Sequence, residues 1–265
     1  MRPAFPKSRR LGFSLIELVV VLMIIAILSG LTVSIVGWLR QSADKGTAAN
    51  IMASLLSNVE LYRVTVGTYP EQLDSLLDGS GALYSGNGST DLGLHDELRA
   101  SGGKLTTLSL NANRLKSLQQ VGLNSVMDHT AGSGLGALPG NSGTVYRLLN
   151  SSGNVAAIDS AGGGAGIADA LYPPAAGGGT GTGVPANVDL IVFGFGPMST
   201  SIGKTIVSPP AYSGVGQVDK IYNRFLLVFA VYNDGSKNAQ LKAVIDSKGD
   251  HLNEEITEFF QNKPQ

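Results

Sequence analysis

The sequence predicts an α+β fold in which one long N-terminal helix packs, by its C-terminal half, on an antiparallel β-sheet of a globular domain. Three observations predict it. An apolar run at residues 13–39 continues into an amphipathic helical stripe, β-branched and aromatic segments come only later, and those segments are separated by short turns. The chain of 265 residues is 43% hydrophobic, enough to form a core. Its 19 Lys plus Arg balance 20 Asp plus Glu, so no excess of positive charge exists for phosphates and nucleic acid is not an expected partner. The absence of cysteine excludes disulfides, zinc-thiolate and iron–sulfur sites and thiol catalysis together.

The first element is a basic leader, residues 1–12, carrying Arg2, Lys7, Arg9 and Arg10. Residues 13–39 follow with Glu17 as their one charge. As a helix this run is about 40 Å long at 1.5 Å per residue, against roughly 30 Å of bilayer hydrocarbon. It reads as a transmembrane segment, and the leader's charges keep the N-terminus cytoplasmic. The other reading is a secretory signal peptide. That requires small residues at A-x-A spacing, and Leu28-Ser29-Gly30 puts a leucine at the first of them. A carboxylate inside such a run costs on the order of 2.5 kcal/mol near the bilayer centre, so Glu17 calls for a function.

Gly12-Phe13-Ser14-Leu15-Ile16-Glu17, followed by Leu18-Val19-Val20-Val21-Leu22, resembles the processing motif of type IV pilins and type II secretion pseudopilins. The resemblance implies a precursor in the bacterial inner membrane, cut by a prepilin peptidase/N-methyltransferase between Gly12 and Phe13. It also implies a methylated Phe13 amine and a Glu17 that guides assembly on an inner-membrane platform. Cutting removes the four leader charges and leaves 15 basic against 20 acidic side chains. A neighbouring subunit's Phe13 amine can then meet Glu17, and a buried carboxylate is tolerable when paired. Membrane lipid covers the helix before assembly and other copies of the chain cover it afterwards.

Past residue 40, Ala48, Ile51, Met52, Leu55, Val59, Tyr62 and Val66 recur at spacings of three and four, an amphipathic continuation over 40–66. Gly67-Thr68-Tyr69-Pro70 ends the helix. Glu71 to Leu77 then reads as a short helix with Pro70 at its start, similar to the segment after the long helix in major pseudopilins. The globular domain spans 67–265. Within it a helix is expected over Asn113 to Val121, and a hairpin joins Thr144–Leu149 to Asn154–Ile158. Residues 160–183, with nine glycines, read as a flexible loop. Val188–Phe195 is a strand, Arg224–Tyr232 and Leu241–Ile245 form a hairpin across Asp234-Gly235, and Leu252–Gln261 is a closing helix.

Enzyme signals fail one by one. Gly203-Lys204-Thr205 lacks the P-loop's earlier glycine, because Met198 stands there, and Ser199 stands where a third dinucleotide-loop glycine belongs after Gly194 and Gly196. His95, His129 and His251 share no metal spacing and read as surface residues. Oxygen ligands cluster at Asp246, Asp250, Asn253, Glu254 and Glu255, and Asp246, Asp250 and Glu254 form a candidate calcium set, as the resemblance to calcium-binding pseudopilins also implies. The plainer reading of Asn253, Glu254 and Glu255 is capping and polarising the last helix. The expected function is therefore a filament subunit without chemistry of its own, in a periplasmic pseudopilus or a surface pilus. The alternative is a minor or tip subunit acting as a binding or priming module, which the glycine-rich insert favours.

Overall fold

The computed structural model describes residues 14–86, 88, 91–129, 144–174, 183–215 and 220–261, with backbone alone at 30–42, 215 and 258–261. The chain divides into two units, Met1–Ala43 and Asp44–Gln265. In the first, helix α1 (Leu15–Val66) begins, and every described side chain from Ser14 to Ser29 is exposed. Among the described residues no helix is long and apolar enough to cross a membrane, and the described side chains of the apolar run end at Ser29.

In the second unit α1 buries Ala48, Met52, Leu55, Val59 and Tyr62, one per turn, while Ile51 is half-buried and Val66 lies outside the buried stripe. Gly67 ends the helix at φ +92°, with its N–H on the Arg63 carbonyl at 2.8 Å. The next segment is strand β1 (Leu73–Asp78), not the short helix expected from Glu71 to Leu77. Its residues 73–77 are all buried, and Gln72 and Leu76 sit at φ +57° and +63°, outside helical geometry.

The remaining elements are α2 (Asp96–Arg99), β2 (Leu105–Ser109), α3 (Ala112–Gln119), β3 (Ser125–His129), β4 (Thr144–Leu148) and β5 (Asn154–Ile158). They are followed by α4 (Ala165–Leu171), β6 (Val188–Gly194), β7 (Leu226–Tyr232), β8 (Gln240–Ile245) and α5 (Leu252–Gln261). The 160–183 interval thus holds a helix rather than only a loop; its residues 175–182 lie outside the described residues.

Among the described residues all eight strands join one sheet, and it is mixed rather than antiparallel because β1 pairs β3 in parallel. Strand β6 is its hub. One edge of β6 carries β7 and then β8, while the other is shared between β5 at Val192 and Ile191 and β1 at Gly194. Strands β4 and β5 do not form the expected hairpin: β4 pairs β3, and β5 lies between β2 and β6. The β7–β8 hairpin across Asp234-Gly235 is present, with Gly235 at φ +68°.

Alternation along the hub strands divides the core between two faces. Ile191, Phe193, Leu227, Phe229 and Val231 share one cluster with Ala48, Met52, Leu55 and Val59 of α1. Leu190, Val192, Leu226, Val228 and Ala230 share the other with Leu76, Tyr84, Leu98 and Ile167. Both faces of β6 and β7 are covered, which explains their near-continuous apolar sequence.

Candidate functional site

Two regions carry the expected site residues. In the first, Gly12, Phe13 and the leader charges Arg2, Lys7, Arg9 and Arg10 lie outside the described residues. Glu17 lies within them, in the first turn of α1. Its Oε2 accepts the Ser14 N–H at 2.9 Å, while Ser14 Oγ accepts the Ile16 N–H at 3.3 Å. This is a variant of the capping box, in which a glutamate three residues on reaches back to the serine that opens the helix, while the serine bonds the second helical N–H instead of the third. The signal, Ser-x-x-Glu before an apolar run, is present in the sequence as Ser14-Leu15-Ile16-Glu17.

The second region is the turn between β8 and α5. Asp246 folds the turn upon itself: its Oδ1 accepts the N–H groups of Lys248 and Asp250, both at 2.8 Å, and Gly249 follows the reversal at φ +86°. Asp246, Asp250 and Glu255 each bring one carboxylate oxygen within 4.8 Å of the others. Asp246 and Glu255 are buried, and Asp246 Oδ2 and Glu255 Oε2 have no hydrogen-bond partner among the described residues. Asp250 is held by the Lys104 ammonium at 2.6 Å. Burial first, and then the neighbouring carboxylates, pushes Asp246 up to about 6 and Glu255 up to about 7. The Tyr212 hydroxyl, 3.4 Å from Glu255 Oε1, is pushed up chiefly by its own burial.

Glu254 is not part of this cluster. Its Oε2 faces His251 Nδ1 at 3.1 Å, and Glu255, one residue and about 100° further round the helix, stands in its place. Asn253 is exposed. Glu254 and Glu255 both lie in the first turn of α5, where the helix dipole favours negative charge. The donor set of Asp246, Asp250 and Glu255 is hard oxygen, and its two orphaned buried oxygens suit a calcium ion that also takes water or backbone oxygen.

The interior holds groups that the sequence reading placed elsewhere. His129 is fully buried in β3 rather than on the surface, between the rings of Tyr84 and Tyr222 at 5.2 and 5.5 Å. Burial alone pulls it down to about 3. Tyr222 donates its hydroxyl to buried Asp74 at 2.8 Å, and desolvation pushes Asp74 up to about 7. Nothing in the local sequence marks these residues, because their neighbours come from β1, β3 and the segment before β7.

Residues 7–33 match the family model described as the prokaryotic N-terminal methylation motif. The motif is the signature of type IV pilins and pseudopilins. Its family is structural rather than enzymatic, and it implies a membrane-anchored precursor processed by a prepilin peptidase. No curated protein and no solved structure matches the chain.

Proposed function

We propose that the protein is a structural subunit of a bacterial type IV pilus or type II secretion pseudopilus. The observation that carries this reading is the methylation motif over residues 7–33, with Glu17 at the head of a helix whose described side chains to Ser29 are exposed. In this reading residues 13–39 anchor the precursor in the inner membrane, with the leader on the cytoplasmic side. Cleavage after Gly12 frees the Phe13 amine, which stays cationic when methylated. An amine from one copy then neutralises Glu17 of the next if the helices stagger by about one turn, so polymerisation pairs a charge that lipid leaves unpaired. Calcium held by Asp246, Asp250 and Glu255 staples the β8–α5 turn in a chain without cysteine.

The test is to purify native surface or periplasmic filaments and determine this protein's N-terminus and abundance by mass spectrometry. The expected result is a chain beginning at N-methylated Phe13 that dominates the filament. The same terminus at trace level assigns the minor or tip role instead. An intact leader on a chain absent from every filament overturns the reading.

A further inference from the structure

We propose that Lys104 is a resident counter-ion of the acidic turn between β8 and α5, and that its ammonium sets how much calcium the Asp246, Asp250 and Glu255 cluster requires. The inference rests on the calcium reading above and names what regulates that site. Asp246 and Glu255 are buried, while Asp250 keeps 17% of its side chain exposed, so the cluster meets solvent at Asp250. The Lys104 ammonium stands there, 2.6 Å from Asp250 Oδ1 and 3.4 Å from Glu97 Oε2 of α2.

The fold fixes this lysine by its main chain and leaves its end free. Its N–H donates to the Glu97 carbonyl at 2.8 Å, and its carbonyl accepts from the Asp159 N–H at 2.9 Å. Its stem lies against the turn. A Cβ on Gly249 would come within 2.7 Å of Lys104 Cδ, so a glycine at φ +86° lets the turn close onto the stem. Asp246 is held in place instead, because its Oδ1 accepts the Lys248 and Asp250 N–H groups. Beside the lysine lies a cavity of about 610 Å³, lined by Lys104, Glu254 and Thr257 among others. The ammonium can leave Asp250 by side-chain rotation into this space, with Glu97 and Glu254 as its other acidic neighbours.

One charge therefore acts in two directions. Without an ion, three carboxylates within 4.8 Å of one another repel, and the ammonium relieves that repulsion at Asp250. With an ion, two cations share one carboxylate and repel each other. The lysine thus keeps the turn assembled when calcium is scarce and raises the concentration at which calcium takes over. Lys45 of α1 also acts on Glu255, and it is the same in every variant compared.

Calorimetric titration of calcium chloride into the detergent-solubilised full chain tests the proposal. Lys104→Met keeps an unbranched stem beside Gly249 and removes the charge, and it is expected to lower the Kd about tenfold or more. Lys104→Arg keeps the charge and is expected to stay within about threefold of the parent. Lys248 lies in the same turn and makes no ion pair among the described residues. Lys248→Met changes net charge equally, yet is expected to shift the Kd by less than about threefold. Thermal melts give a second readout: the difference in Tm between calcium-loaded and chelated chain widens in Lys104→Met, whose ion-free turn has lost its counter-ion. Equal or weaker calcium binding by Lys104→Met overturns the proposal and leaves the calcium reading standing, as does an equal gain from Lys248→Met. Calcium binding by neither the parent nor a folded Lys104→Met overturns both.

Discussion

Glu17 has two demands on one carboxylate, and they separate by substitution. As the third helical residue of a capping box it accepts the Ser14 N–H, a role that glutamine also fills. As the partner of a neighbouring subunit's amine it must carry charge, which glutamine lacks. Glu17→Gln is therefore expected to leave the precursor inserted and cleaved, while the yield of sheared filaments falls tenfold or more, in line with the roughly 1.5–3 kcal/mol that a hydrogen bond to a charged group contributes. Glu17→Ala loses the bond to the Ser14 N–H as well, and with it part of the stability of the helix start. Immunoblots of sheared filaments against total cell protein measure both variants. Parental filament yield from Glu17→Gln would leave the cap as the residue's whole role.

At the scale of elements, local chemistry was legible where it sufficed and misleading where distant partners decided. The stripe from Ala48 to Tyr62 followed from spacing alone, because it has one face to bury. Glu71 to Leu77 has no such face. Leu73, Leu76 and Leu77 are all enclosed because β3 on one side and β6 on the other take the strand's edges, pairings that sequence does not display. The Asn150–Gly153 turn forms as its composition indicates, yet β4 and β5 leave it for different partners; a turn fixes reversal of direction, not pairing. Helix phase likewise decides the acidic turn, where carboxylates crowd the sequence but only Glu255 points at Asp246 and Asp250. Calcium at a hundredfold excess over its Kd is expected to stabilise the chain by about 2.7 kcal/mol. That corresponds to several degrees in Tm, removed by chelation. Glu255→Gln should lose this response and Glu254→Gln should keep it in paired thermal melts. The opposite pattern would return Glu254 to the ligand set.

Over the whole molecule, part of the pH dependence of stability comes from two buried groups that respond to protons in opposite directions. Asp74, pushed up to about 7, binds its proton more tightly folded than unfolded. Its contribution is complete below about pH 4 and lost as pH rises to about 7. His129, pulled down to about 3, favours the folded state only when neutral. Its contribution is complete above about pH 6.5 and lost as pH falls towards 3. At about 1.4 kcal/mol for each tenfold change in proton affinity, each group alone tilts stability by up to about 4 kcal/mol. Between pH 4 and 6.5 the two tilts oppose each other. Single substitutions expose them, because Asp246 and Glu255 act equally on parent and variant and drop out of the difference. Relative to the parent, Asp74→Asn should gain stability as pH rises from 4 to 7. His129→Gln should gain as pH falls from 6.5 to 4. Urea unfolding of the detergent-solubilised chain across this range reads both slopes. Two profiles of the same sign would mean that one of these groups gains a countercharge in the folded protein, and that its burial between β1, β3 and the segment before β7 is not what sets its proton affinity.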